Sequence, residues 1–227
     1  MSPSLGHNRI AGLHGLYAIT DAGLQKPGQL VARVRQAIEG GAVLVQYRDK
    51  SKDTALREQQ ARALVELCNT HGARLIINDD VTLAAAVGAH GVHLGRDDTT
   101  ITAARATLGD TAIVGISCYN QWSRAQQAAG AGADYIAFGR FFSSRTKPGA
   151  VEADPALLQQ ARRELDIPVA AIGGITADNG GALIDAGADL LAVVHDVFAA
   201  DDICAAARRY QTLFTRKAGH EQVGRTF

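Results

Sequence analysis

At 227 residues the chain comfortably fits one α/β barrel and can bury a sizeable core. Lys and Arg total 23 and Asp and Glu total 23, so the net charge is zero, and no Lys/Arg cluster marks a nucleic-acid or anionic-membrane surface. No apolar run is long enough to span a bilayer, and the N-terminal MSPSLGHNRIAGLHG lacks the basic and apolar regions of a signal peptide. Cys68, Cys118 and Cys204 are far apart, odd in number and without CxxC spacing, which fits reduced thiols in a cytoplasmic protein rather than a disulfide framework or a zinc site.

In chain order, residues 1–15 read as a loose polar arm, residues 16–215 as one domain and residues 216–227 as a polar tail. LYAIT at 16–20 is the first expected strand, and helical spacing over 28–39 stops at Gly40-Gly41. Strand two, 42–47, runs into Arg48, Asp49 and Lys50, and a long helix follows over 53–71. Strand three, 74–77, ends in Asn78, Asp79 and Asp80, before a short Ala-rich helix from Thr82 to Gly88. Strand four, 91–94, leads into Gly95, Arg96, Asp97 and Asp98, then a helix over 100–108. Strand five, 112–116, ends in Ser117, with a helix over 121–129. Strand six, 135–138, opens into a loop holding Ser143, Ser144, Thr146 and Lys147, and the next helix starts near Pro155. Strand seven, 168–172, ends in Gly173-Gly174, with a helix over 177–186. Strand eight, 190–194, precedes a last helix from about 202 to 214.

The strands are apolar runs, as expected for parallel strands buried on both faces. GGAVLV, VGAHGVHL, AGADYIAF and AGADLLAV repeat a Gly-Ala pair just ahead of a strand. Eight such units predict a single-domain (β/α)8 TIM barrel. A doubly wound open sheet is the competing fold, lowered by the lack of GxGxxG after the first strand.

In a barrel the C-terminal strand ends meet at one face. There the chain offers Gln46, Arg48 and Lys50, then Asn78 and Asp79, Asp98, Ser117, Thr146 and Lys147, and Gly173-Gly174. Carboxylates alone would suit a glycosidase or proton shuttle, and cations alone a plain phosphate site. Both together suggest a metal-bound pyrophosphate, with Mg²⁺ on carboxylates, waters and phosphate oxygens and Arg48, Lys50 and Lys147 against the remaining charge. The bland alternative for Asp79 and Asp98 is capping of the helices that follow. Gly173-Gly174-Ile175-Thr176 before a helix reads as a phosphate cradle, or as a tight turn that simply needs glycine. Two anion sites on one mouth imply two phosphorylated substrates, or one with a phosphate at each end. His93 reads as a satisfied buried histidine, Trp122 as a packing residue, and Cys118 and Tyr119 as lining or packing.

The motifs LYAITD at 16–21, VQYRDK at 45–50, INDD at 77–80, GVHLGRDD at 91–98, GISCYN at 115–120, TKPGA at 146–150 and AIGGIT at 171–176 resemble, in order and spacing, the thiamine-phosphate synthase family. The resemblance implies a TIM-barrel transferase that joins 4-amino-2-methyl-5-hydroxymethylpyrimidine diphosphate to 4-methyl-5-(2-phosphoethyl)thiazole. Pyrophosphate would leave first, generating a pyrimidine cation that the thiazole nitrogen then attacks. It further implies Mg²⁺ on Asp79 and Asp98, and the diphosphate on Arg48, Lys50, Asn78, Ser117 and Lys147. Gln46 would face the pyrimidine and Ser144 and Thr146 the thiazole, with Gly174, Val194 and His195 at the thiazole phosphate. Catalytic roles fall to Arg48, Lys50, Ser117 and Lys147. Two departures stand out: Ser143 where the family has Pro, and His195-Asp196 where it has Ser-Ala or similar. Asp196 is expected to point away from the phosphate.

Two other functions compete. A thiazole tautomerase on the same barrel would need a histidine where Tyr119 stands, and a non-catalytic phosphate sensor would be expected to have lost a metal carboxylate or Lys147. The expected partners are small phosphorylated substrates, with no nucleic acid or membrane; a homo-oligomer is compatible with the sequence.

Overall fold

A computed structural model describes residues 13–143 and 152–223. Eight parallel strands close into a barrel in chain order. They are β1 (Gly15–Ile19), β2 (Ala42–Tyr47), β3 (Arg74–Asn78), β4 (Gly91–Leu94), β5 (Ile113–Tyr119), β6 (Tyr135–Gly139), β7 (Val169–Ile172) and β8 (Leu190–Val193). The helices are α1 (Leu30–Glu39), α2 (Thr54–His71), α3 (Val81–Val87), α4 (Ile101–Leu108), α5 (Trp122–Gly130), α6 (Ala156–Glu164), α7 (Gly180–Ala186), α8 (His195–Phe198) and α9 (Ile203–Val223). β8 closes on β1 through Leu16 beside Leu191 and Tyr17 beside Ala192. The expected TIM barrel is therefore the observed fold, and no helix among the described residues is long and apolar enough to cross a membrane.

Three features differ from the sequence reading. A 3-10 turn at Pro27–Gln29 and the one-turn α8 were not expected, and α9 continues to Val223, past the expected stop near residue 214. The polar residues after Phe214 carry no apolar stripe, but neither do they carry a Gly or Pro before Gly219 that would stop a helix.

Strand alternation sorts the core into two layers. Leu16, Ala18, Val45, Leu75, Ile77, Val92, Leu94, Val114 and Ile136 face the helices. Tyr17, Ile19, Leu44, Ile76, Ile113, Tyr135, Ala170 and Leu190 fill the barrel interior. Within that interior Tyr17 and Tyr135 meet edge to face, with ring centroids 5.9 Å apart. A side chain at 115 could not coexist with them: a Cβ on Gly115 would lie 2.0 Å from the Tyr135 ring.

The same alternation aims Gln46, Asn78, His93 and Ser117 inward at the upper ends of four successive strands. Gln46 and His93 are buried, at 3% and 7% exposure. The barrel is thus apolar in its lower part and polar where the strands end.

Candidate active site

The loops after β2, β3 and β4 surround an open cavity of about 450 Å³ lined by Lys50, Arg57, Asn78, Asp79 and Thr99, among others. Its acidic corner is shaped by a division of labour between neighbouring residues. Asp80, not Asp79, caps α3, accepting from the Leu83 N–H at 2.9 Å while Arg57 pairs with its other oxygen at 2.8 Å. Thr100, not Asp98, caps α4, accepting from the Ala103 N–H. The capping alternative therefore fails for both Asp79 and Asp98, and both carboxyls are left for the mouth.

Asp79 reaches the mouth by a left-handed turn, φ 61°, anchored by its N–H to the carbonyl of His93 at 2.9 Å. Its carboxylate accepts from Lys50 Nζ and, at 2.6 Å, from Asn78 Nδ2. Asp98 accepts from the Gly95 N–H at 2.6 Å, and its carboxyl is near enough to that of Asp79 for each to shift the other's protonation. Burial pushes the Asp79 carboxyl up, but Lys50, Asp98 and Asn78 together outweigh it and hold the group below the usual carboxylate range. For Asp98, burial and the neighbouring Asp79 raise it. Two carboxyls side by side are poised to share one proton, a place that a hard divalent cation can take instead. Among the described residues no third carboxylate, histidine or cysteine joins them, which suits Mg²⁺ completed by water and phosphate oxygens rather than a closed zinc site.

Arg48 stands just beyond β2. Its N–H donates to the buried Thr20 hydroxyl at 2.9 Å, joining the ends of β1 and β2, and its guanidinium lies 4.0 Å from Asp21. Ser117 sits at the upper end of β5, its hydroxyl 2.8 Å from His93 Nε2. Behind them Gln46 Nε2 donates to the Tyr17 hydroxyl at 2.5 Å. Gln46, Arg48, Lys50, Asn78, Asp79, Asp98 and Ser117 therefore all occupy the strand-end face expected of them.

The second expected anion site lies across the mouth. Gly173 and Gly174 have φ of 104° and 64°, values that L side chains rarely adopt. Close approach also demands glycine: a Cβ at 174 would lie 2.6 Å from the Ser143 carbonyl oxygen, and the Phe142 N–H donates to the Gly173 carbonyl at 3.0 Å. The loop after β6 therefore rests on the glycine turn. Val194 is half-buried and precedes α8, and His195 is exposed as its first residue. Asp196 does point away, accepting from the Ala177 N–H at 3.2 Å and from the Tyr210 hydroxyl at 2.6 Å. Ser144, Thr146 and Lys147 lie outside the described residues.

Several residues were missed in the sequence. Arg124 on α5 donates through Nε to the Ser117 carbonyl at 2.6 Å and through Nη2 to the Gly95 carbonyl at 2.9 Å, tying the β5 end to the Asp98 loop. Arg96 stacks 4.9 Å from the ring centre of Tyr119, itself held at φ 55°. Asn179 accepts from the Thr176 N–H at 2.9 Å and donates to the Gly174 carbonyl at 3.0 Å, bracing the glycine turn. Asn179, three residues past the GGIT motif, is a legible bracing signal; Arg124, whose partners lie on other elements, left none. Cys118 is fully buried and its thiol is pushed up to about 12 by burial, so it packs rather than reacts.

Residues 16–197 match the family described as thiamine monophosphate synthase. A thiamine-phosphate synthase of Azoarcus sp. (strain BH72) is 54% identical over 202 residues, covering 89% of this chain and 98% of that protein. One from Thioalkalivibrio sulfidiphilus is also 54% identical, covering 89% and 96%. Among solved structures, a thiamine phosphate pyrophosphorylase from Pyrococcus furiosus superposes with a TM-score of 0.83 at 32% identity, covering 91% of this chain and 98% of that one.

Proposed function

The chain belongs to the thiamine monophosphate synthase family of transferases, and from that membership we propose that it condenses 4-amino-2-methyl-5-hydroxymethylpyrimidine diphosphate with 4-methyl-5-(2-phosphoethyl)thiazole, giving thiamine phosphate and pyrophosphate. The observation that carries this reading is the Asp79–Asp98 pair, freed from capping by Asp80 and Thr100 and set against Lys50 and Asn78.

Asp79 and Asp98 would hold Mg²⁺, which when bound supplies charge stabilisation to the diphosphate. Lys50 would exchange its bond to Asp79 for the diphosphate, with Arg48, Asn78 and Ser117 as further donors and Lys147 completing the set. Gln46 would hold the amino end of the pyrimidine. The aminopyrimidine can stabilise a benzyl-type cation, so the diphosphate departs first and no side-chain nucleophile is required. The residues' work is to stabilise departing charge and hold the thiazole nitrogen in line, with Ser144 and Thr146 near the ring and Gly174, Val194 and His195 at its phosphate. The isomerase alternative needs a proton-transferring histidine at position 119; Tyr119, stacked on Arg96, cannot serve.

The test mixes the protein with both substrates and Mg²⁺, with an EDTA control, and follows pyrophosphate and thiamine phosphate. Equal, metal-dependent release of both is expected. Asp98→Ala and Lys147→Ala should each lose at least about a hundredfold in turnover while the circular dichroism stays native. Near-normal turnover in either variant removes that residue from the site; no product from the folded wild type removes the transferase reading.

A further inference from the structure

Five polar side chains run as an unbroken line through the barrel interior. Gln46 Nε2 meets the Tyr17 hydroxyl at 2.5 Å, which meets the Tyr135 hydroxyl at 2.8 Å. Tyr135 meets His93 Nδ1 at 2.9 Å, and His93 Nε2 meets the Ser117 hydroxyl at 2.8 Å. We propose that these residues form one polarised hydrogen-bond chain that couples ligand recognition at Gln46 to anion binding at Ser117, with Tyr17, Tyr135 and His93 as positioning residues.

The protons available fix the direction of every bond in this line. Each hydroxyl has one, and a neutral imidazole has one N–H. When the Gln46 amide nitrogen donates to Tyr17, Tyr17 must donate to Tyr135, Tyr135 to Nδ1, and Nε2–H to Ser117. The Ser117 proton is then free to point into the mouth, and Gln46 Oε1 is free to accept. When the amide is turned over, every bond reverses. Gln46 then presents N–H outward, while Ser117 spends its proton on His93 and shows lone pairs to the mouth. Any mixed state leaves a buried hydroxyl proton or ring nitrogen unmatched. Burial supports this picture: it raises both tyrosines, keeping them as phenols, and lowers His93.

Among the described residues none donates to Gln46 Oε1 or bonds the Ser117 hydroxyl besides His93. The two ends are thus open to ligand. Only the first direction suits an N–H donor at Gln46 together with an anionic oxygen at Ser117. Resting on the function proposed above, that is the pattern of the aminopyrimidine diphosphate. A ligand with a carbonyl in place of the amine favours the reversed chain and so weakens anion binding at the far end. Discrimination between amine and carbonyl would then exceed what one contact at Gln46 supplies.

The direction can be read without substrate or turnover, so it survives or fails independently of the proposed activity. Long-range nitrogen–proton correlation spectra on histidine-labelled protein, with His93 assigned by its loss in His93→Gln, report which ring nitrogen holds the proton. The expected wild-type form is Nε2–H. Gln46→Glu, which can only accept from Tyr17, should reverse the chain and move the proton to Nδ1, whereas Tyr17→Phe, which removes only an incoming bond to Tyr135, should keep Nε2–H, the amide spectrum staying folded in both. A wild-type proton on Nδ1, or a proton that stays on Nε2 in Gln46→Glu, overturns the proposal. Inorganic pyrophosphate with Mg²⁺, titrated calorimetrically, should bind about tenfold more weakly to Gln46→Glu, the loss set by one buried hydrogen bond, and regain most of that affinity when Tyr17→Phe is added to cut the chain; unchanged affinity in Gln46→Glu, or no recovery in the double variant, overturns the coupling.

Discussion

Asp79 pays a local backbone cost that its neighbour Asp80 does not. Its φ of 61° lies where most side chains crowd the following carbonyl, and Asp and Asn tolerate that region better than Ala. The turn separates two adjacent carboxylates, one aimed down at the α3 N-terminus and one up into the mouth. Asp79→Asn keeps the tolerant backbone and an oxygen for Lys50; Asp79→Ala keeps neither. Both should lose activity, but Asp79→Ala should be less stable than Asp79→Asn by about 1 kcal/mol in urea denaturation. Equal stabilities would mean that the turn carries no strain. The INDD motif made both carboxylates visible in the sequence, but which one caps and which one faces the mouth depends on this single dihedral, and no residue pattern announces it.

The β7–α7 turn shows how elements share a site. The glycine pair was legible as a cradle or a tight turn, and the structure shows a third demand, because the loop after β6 packs directly on it. Asn179 braces this turn from inside with two hydrogen bonds, at Thr176 and Gly174. Asn179→Ala should raise KM for the thiazole phosphate about tenfold with little change in kcat, since the brace shapes ground-state anion binding. A fall in kcat at unchanged KM would place Asn179 in the chemical step instead. Arg124 plays the matching part across the mouth, clamping the carbonyls of Ser117 and Gly95 with one planar fork. Arg124→Lys cannot reproduce the fork and should destabilise the protein by about 2 kcal/mol, read as a lowered melting temperature. The partners of Arg124 are set by where α5 lies over β5 and β6, with the loop after β4 in reach, so its role becomes visible only once the barrel is closed.

Over the whole molecule, the repeat of strand and helix is why so much was legible: eight apolar runs, each ending in polar residues, put Gln46, Asn78 and Ser117 at one face of a barrel and His93 inside it. It could not show that Tyr17 and Tyr135, 118 residues apart, meet at the centre and carry His93 between them and Ser117. Closure of the barrel makes that contact, and it sets a stability cost. Burial lowers His93 from 6.5 to about 4, and it lowers His90 in the same direction. The unfolded chain therefore takes up a proton below about pH 6.5 that the native state refuses until about pH 4. Native stability must fall as pH drops through that window and be unaffected by His93 above it. For His93 the loss is about 3 kcal/mol across the window. Urea denaturation between pH 7 and pH 4.5 should show this slope in the wild type and a shallower one in His93→Gln. Equal slopes would mean that His93 titrates normally, and that water reaches the centre of the barrel.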